Sequence, residues 1–218
     1  MIISIVEYMS KEIKNILFDF GGVIVSLDKQ KAFDRFTEIG FPNIHDYLTT
    51  FRQKGIFLEY EEGKINPADF YNEFRRLAEK NDIPDADIDS AWLAFLDGIP
   101  EYKFQLLKDL RQKYNVYMLS NTNPSIMGWA KTNDFSPEGL PVDAFFDKLY
   151  LSYEIGHAKP DREIFDFIIK DSGMDPAETL FLDDGKANVE IGAELGFQTY
   201  QVDQNEDLRK VFTDRGLL

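Results

Sequence analysis

The chain contains no cysteine. Disulfides, thiolate catalysis and cysteine-ligated zinc are therefore excluded. Histidine is scarce as well: His45 and His157 are the only two, and they lie too far apart to suggest a histidine-rich metal site. No apolar run approaches the roughly 20 residues of a membrane span, so no membrane association is expected. The opening MIISIVEY lacks the basic residues that begin a secretory leader, and a cytoplasmic location follows as an expectation. A second start is expected at Met9, which would leave the first eight residues outside the native chain.

Positive charge is also in deficit. Lys and Arg total 24 against 39 Asp and Glu, a net charge of −15. Such a surface repels polyanions, which argues against nucleic acid as partner or substrate. A small anionic substrate would need local positive charge from a metal ion, a lysine or helix N-termini. No protein partner is implied.

What is present suits a packed protein. Apolar residues make up 44% of the 218 residues, with 19 Phe among them, enough for one core or a core with a modest insertion. Five short apolar runs read as buried parallel strands, at 15–20, 116–120, 148–152, 179–183 and 197–202. Helical patterns lie between the later runs. One carries Ile164, Phe165 and Ile168 and stops at Gly173; another spans 187–195 and stops at Gly196. Strands alternating with helices imply an α/β fold, a Rossmann-like, doubly wound parallel sheet.

One segment breaks that alternation. Between Leu27 and Pro100 the patterns are helical and no strand is expected. Ala32, Phe33, Phe36 and Ile39 share a face, Phe70, Phe74 and Leu77 follow Pro67, and Ile88, Trp92 and Phe95 follow Asp87. Residues 27–100 thus read as an inserted helical cap domain, and residues 1–26 with 101–218 as the Rossmann-like catalytic core. Phe104, Leu107 and Leu110 mark the helix that returns to the second strand.

In open α/β sheets, ligands bind beyond the C-terminal strand ends. After the first strand come Asp19, Gly21 and Gly22. After the second come Ser120 and Asn121. Lys159-Pro160 follows the third, and Asp183, Asp184 and then Asn188 follow the fourth. Each alone is ordinary turn chemistry, and Lys159-Pro160 alone reads as a helix entry. Together they make a coherent set. A carboxylate needs no general base to attack phosphorus. A divalent cation between Asp19 and Asp184 would neutralise the transferring phosphoryl group, and Mg2+ suits a sparse oxygen site. Ser120 and Asn121 can bind phosphate oxygens, and Lys159 adds positive charge.

The segments ILFDFGGVIV, VYMLSNTN, LSYEIGHAKPDREIF and LFLDDGKANVEIGAELG resemble the four motifs of the haloacid dehalogenase (HAD) superfamily. The helical insertion is similar to the cap of its subfamily IA-like group. In closer detail, the pattern looks like the subgroup that includes a bacterial α-glucose-1-phosphate phosphatase. The resemblance implies a phosphatase acting through an aspartyl-phosphate intermediate. Asp19 would be nucleophile and metal ligand, Lys159 catalytic and phosphate-binding, and Ser120 and Asn121 substrate-binding. Mg2+ would be held by Asp19, Gly21 (through its carbonyl) and Asp184, with Asp183 and Asn188 in support.

Superfamily phosphatases carry a second Asp two residues after the nucleophile, as acid to the leaving group. Here that position is Gly21, which cannot transfer a proton. A sugar 1-phosphate, whose anomeric hydroxyl leaves with less help, would suit such a site. Asp28, His157 or Glu62 could otherwise supply the proton. The alternatives are a non-catalytic or regulatory protein on this fold, a dehalogenase, a mutase, or phosphonate cleavage through Lys54 or Lys64.

Overall fold

The computed structural model describes residues 11–48 and 53–218. The expectations about the leader and the start at Met9 lie outside these residues.

The five expected strands form one parallel sheet: β1 (Asn15–Phe18), β4 (Asn115–Ser120), β5 (Lys148–Leu151), β6 (Thr179–Asp183) and β7 (Gln198–Gln201), in the order β5-β4-β1-β6-β7. Side chains alternate between the two faces of a strand. Ile16 and Phe18 therefore enter one apolar cluster with Val116, Met118, Leu180 and Leu182, while Leu17 enters the other with Leu119 and Phe181. Helices α5 (Tyr102–Leu110), α6 (Pro124–Ala130) and α10 (Leu208–Asp214) supply Phe104, Met127 and Phe212 to the first face. Helix α8 (Arg162–Ser172) covers the second with Ile164, Phe165 and Ile168, beside α9 (Lys186–Glu194). The short α7 (Ser152–Ile155) follows β5 directly.

The register brings the chemistry together. Asn15 is level with both Asn115 and Thr179, and Phe18 with both Met118 and Leu182. Polar side chains stitch the N-terminal end: Asn115 donates to Asn15 at 2.9 Å, and Asn15 to Thr179 at 3.2 Å. Because the three strands are in register, Asp19 emerges beside the ends of β4 and β6.

The inserted segment is helical: α1 (Lys29–Glu38), α2 (Ile56–Glu61), α3 (Pro67–Leu77) and α4 (Asp85–Leu93). Asp28 caps α1 by accepting from Lys31 N–H, and Asn66 caps α3, where Pro67 takes the first turn. Their inner faces meet in a separate apolar cluster dominated by aromatics, with Phe36, Phe57, Phe70, Phe74 and Trp92 fully buried.

The expectation of no strand here is corrected. β2 (Ser26–Leu27) pairs antiparallel with β3 (Leu96–Gly98), so the two crossings form one ribbon. Runs of two and three residues are too short to show alternation in sequence. Pro160 is also corrected: it lies in a turn behind a cis peptide bond, and α8 begins at Arg162 with Asp161 as its cap. Among the described residues, no helix is long and apolar enough to cross a membrane.

Candidate active site

The expected residues converge at the C-terminal end of β1, β4 and β6. Asp19 N–H donates to Leu182 O at 2.8 Å, which continues the sheet one residue past β1 and fixes the side chain over the strand ends. Lys159 Nζ lies 2.8 Å from Asp19 Oδ1 and 2.6 Å from Asp183 Oδ2, and donates to Leu119 O at 2.9 Å. All three ammonium hydrogens are thus directed. Lys159 is 2% exposed and Asp19 8%, so the contacts act in a weakly screened environment.

Asp183 is fully buried, and its other oxygen accepts from Gly185 N–H at 2.8 Å and Asn188 Nδ2 at 2.9 Å. Asp184, the next residue, is exposed. Asp19, Asp183 and Asp184 each present a carboxylate oxygen within 4.8 Å of the other two. Gly22 makes this approach possible. Its φ is +81°, and a Cβ there would lie 2.6 Å from Asp184 Cγ and closer still to Oδ2. Only glycine combines that backbone with that space.

The electrostatics follow from three acids facing one lysine. Burial pushes Asp19 up to about 8; Lys159 opposes this, while Asp183 and Asp184 add to it. Asp184, exposed as a residue but partly desolvated by the surrounding site, is also raised, with Asp183 adding to the shift and Lys159 and Lys29 opposing it. Burial alone would draw Lys159 down, but Asp183 and Asp19 outweigh it and its net shift is upward. The cluster therefore lacks positive charge. A second cation beside Lys159 would favour the Asp19 carboxylate, and the all-oxygen donor set fits a hard divalent ion.

Ser120 is buried at the end of β4, where its hydroxyl makes a long contact of 3.4 Å with Asn121 O. The Asn121 side chain is engaged within the protein. Its Nδ2 donates to Lys159 O at 2.8 Å, and its Oδ1 accepts from Lys159 N–H at 2.7 Å. The side chain clamps the lysine backbone, and any phosphate contact would fall to the Asn121 backbone. Ser152 plays a similar part unforeseen in the sequence, bonding both Thr122 N–H and Thr122 O across the ends of β4 and β5.

Of the groups considered as proton donors, Asp28 caps α1, His157 is exposed, and Glu62 is buried with Lys64 at 2.6 Å. The inserted helices close over the strand ends. Tyr60 OH lies 3.0 Å from Ser125 Oγ of α6. Gly63, at φ +64°, packs so tightly that an added Cβ would sit 2.9 Å from the Tyr153 carbonyl carbon. A cavity of about 810 Å3 opens on the other side, bounded by Gly22, Asp28, Lys29, Lys103 and Asp184.

Comparison with known proteins matches this arrangement to one family. A model of haloacid dehalogenase-like hydrolases matches residues 13–196. The chain belongs to the haloacid dehalogenase-like hydrolases. It is 46% identical to a D-ribitol-5-phosphate phosphatase of Bacteroides thetaiotaomicron, over 92% of this chain and 97% of that one. A HAD-like family hydrolase from Porphyromonas gingivalis superposes with a TM-score of 0.90 at 40% identity, covering 94% and 98% of the two chains. A HAD family enzyme from B. thetaiotaomicron, an aspartate-to-alanine variant in complex with magnesium and inorganic phosphate, gives 0.87 at 44%, covering 92% and 98%. As a member of this family, the chain is an enzyme, a phosphoric monoester hydrolase of the HAD type.

Proposed function

We propose that the chain is a magnesium-dependent phosphatase of a small polyhydroxylated phosphate monoester, with Asp19 as covalent nucleophile. It acts on a small phosphorylated substrate, as its phosphatase relative does. The observation that carries the reading is the convergence of Asp19, Lys159, Asp183 and Asp184 on one strand-end site.

A carboxylate oxygen of Asp19 attacks phosphorus while the bond to the leaving oxygen breaks, and that oxygen takes up a proton. Water then attacks the phosphorus of the aspartyl phosphate, freeing inorganic phosphate and restoring the Asp19 carboxylate. Lys159 offsets charge on the phosphoryl oxygens and on Asp19, and Ser120 with the Asn121 backbone orients them. Asp19, Asp184 and the Gly21 carbonyl hold the metal, with Asp183 and Asn188 behind them. A magnesium ion bound there supplies positive charge to the transferring group. Asp183 also holds Lys159 in place, and Asn121 fixes the backbone from which Lys159 projects.

The division into a core of residues 1–26 and 101–218 and a cap of 27–100 belongs to this proposal. Its support is the separate aromatic cluster of the inserted helices and the ribbon at their base. Two leaving groups suit the site. Gly21 favours a sugar 1-phosphate, whose oxygen leaves with little protonation. The name of the Bacteroides relative favours a polyol 5-phosphate, which needs a proton from another group or from water.

The test is phosphate release with magnesium across sugar 1-phosphates, sugar 6-phosphates, polyol 5-phosphates, nucleotides and an aryl phosphate. Release abolished by Asp19→Asn and by a chelator is expected. Silence on every substrate, or activity that survives both controls, would overturn the proposal.

A further inference from the structure

Lys103 takes no part in the chemistry above, yet it is 5% exposed and buried in the core. It is the second residue of α5, five residues after Gly98 ends β3. Its Nζ donates to Val23 O at 2.5 Å and to Ile24 O at 3.2 Å. Among the described residues no acid makes a salt bridge with it, and burial draws the ammonium down to about 8. A buried cation without a counter-ion is costly, and an apolar residue of similar length would fill the same space more favourably. Packing therefore does not account for a lysine here.

The two carbonyls do account for it. They belong to the turn Phe20–Val25, which begins beside Asp19 and ends at β2. Gly22 N–H donates to Val25 O at 2.8 Å, and Ile24 and Val25 N–H both donate to Phe20 O at 2.9 Å. These bonds leave the Val23 and Ile24 carbonyls to Lys103. The same turn contains Gly21 and sets Gly22 against Asp184. Lys103 thus ties the return crossing of the insertion to the turn that follows Asp19 and packs against Asp184.

We propose that Lys103 is a positioning residue that holds the Phe20–Val25 turn in the geometry required for metal binding, from the chain segment by which the inserted helices return to the core. This rests on the reading of Gly21 and Asp184 as metal ligands. It adds an ammonium on which metal affinity depends.

The test exploits the absence of cysteine from the chain. Lys103→Met and Lys103→Cys are prepared, and the latter is alkylated in denaturant with bromoethylamine, which restores an ammonium at nearly the native length, then refolded. Magnesium binding is measured by calorimetry, and the unfolding midpoint alongside it. Both variants are expected to bind magnesium 10–100-fold more weakly, the range found when groups supporting metal ligands are removed. Aminoethylation is expected to recover most of that loss. Leu107→Ala, one turn along the same helix and buried in the core, is the control for destabilisation alone and should bind as the unaltered chain does.

Unchanged magnesium affinity in Lys103→Met overturns the proposal, as does a loss that aminoethylation leaves in place. A Lys103→Met chain that does not fold also overturns it, because Lys103 would then be a determinant of the fold. If the unaltered chain binds no magnesium, the metal reading of the site fails instead, and the two failures are distinguished by that titration.

Discussion

Gly21 and Gly22 are neighbours in sequence, but the structure assigns them opposite tolerances. Gly22 has φ +81°, which costs a residue bearing a Cβ roughly 1–2 kcal/mol. The added Cβ would also lie 2.6 Å from Asp184 Cγ, well inside contact distance, so the carboxylate must swing away from Asp19 and Asp183. Gly21 lies outside the left-handed region. Its added Cβ would meet only the end of the Leu27 side chain, at 3.1 Å, which can yield. Gly22→Ala is therefore expected to lower kcat/KM by about 10²–10³, the usual result of losing one charged contact at a reacting centre. It should also weaken magnesium binding about 10–100-fold. Gly21→Ala keeps the carbonyl and should remain within about threefold of the starting activity by the same scale. The assay is steady-state phosphate release with a magnesium titration on both variants, and an unfolding midpoint to exclude misfolding. Equal losses in the two variants, or full activity with unchanged magnesium dependence in Gly22→Ala, would refute the argument.

Two further outcomes are expected. Gly21→Asp places an acid two residues after the nucleophile and should raise turnover of alkyl phosphates by about 10²-fold, a typical general-acid contribution, with little change on an aryl phosphate; absence of any gain on the alkyl ester would mean that another group already supplies the proton. Glu61 is buried in α2, and burial, with help from Glu62 and against the Gln53 amide, pushes its carboxyl from 4.5 up to about 8. The folded state therefore binds the proton more tightly, so this stability is full below pH 4.5 and is lost as pH rises to about 8, at up to roughly 1.4 kcal/mol per pH unit. Glu61→Gln should remove that slope, and unfolding at pH 5, 7 and 9 that shows the same slope in both proteins would contradict it.

The fold was legible where the pattern was long or fully apolar. The runs at 179–183 and 15–18 are buried on both faces, so their composition alone declared strands. The helices with Phe36, Phe74 and Ile168 on their inner faces were legible from their period. The ribbon of β2 and β3 was not, because its pairing depends on two crossings about seventy residues apart. Within the site, residue types at strand ends revealed Asp19, Lys159, Asp183 and Asp184 as neighbours. Their individual partners could not be read. The side-chain amide of Asn121, for example, bonds the Lys159 backbone, which no local pattern shows. The buried bonds of Lys103 join residues 79 and 80 positions apart and leave no local pattern.

The ribbon formed by Ser26–Leu27 and Leu96–Gly98 has a consequence for how such a chain can diversify. Because the outgoing and returning strands pair with each other, the chain leaves and rejoins the core at a single stalk. The distance between its two ends is fixed by hydrogen bonds rather than by the helices beyond them. Segments of very different length or shape could be grafted onto that stalk without moving β1 or β4. The inserted helices can thus be exchanged as a unit, while the carboxylates at the strand ends keep their places.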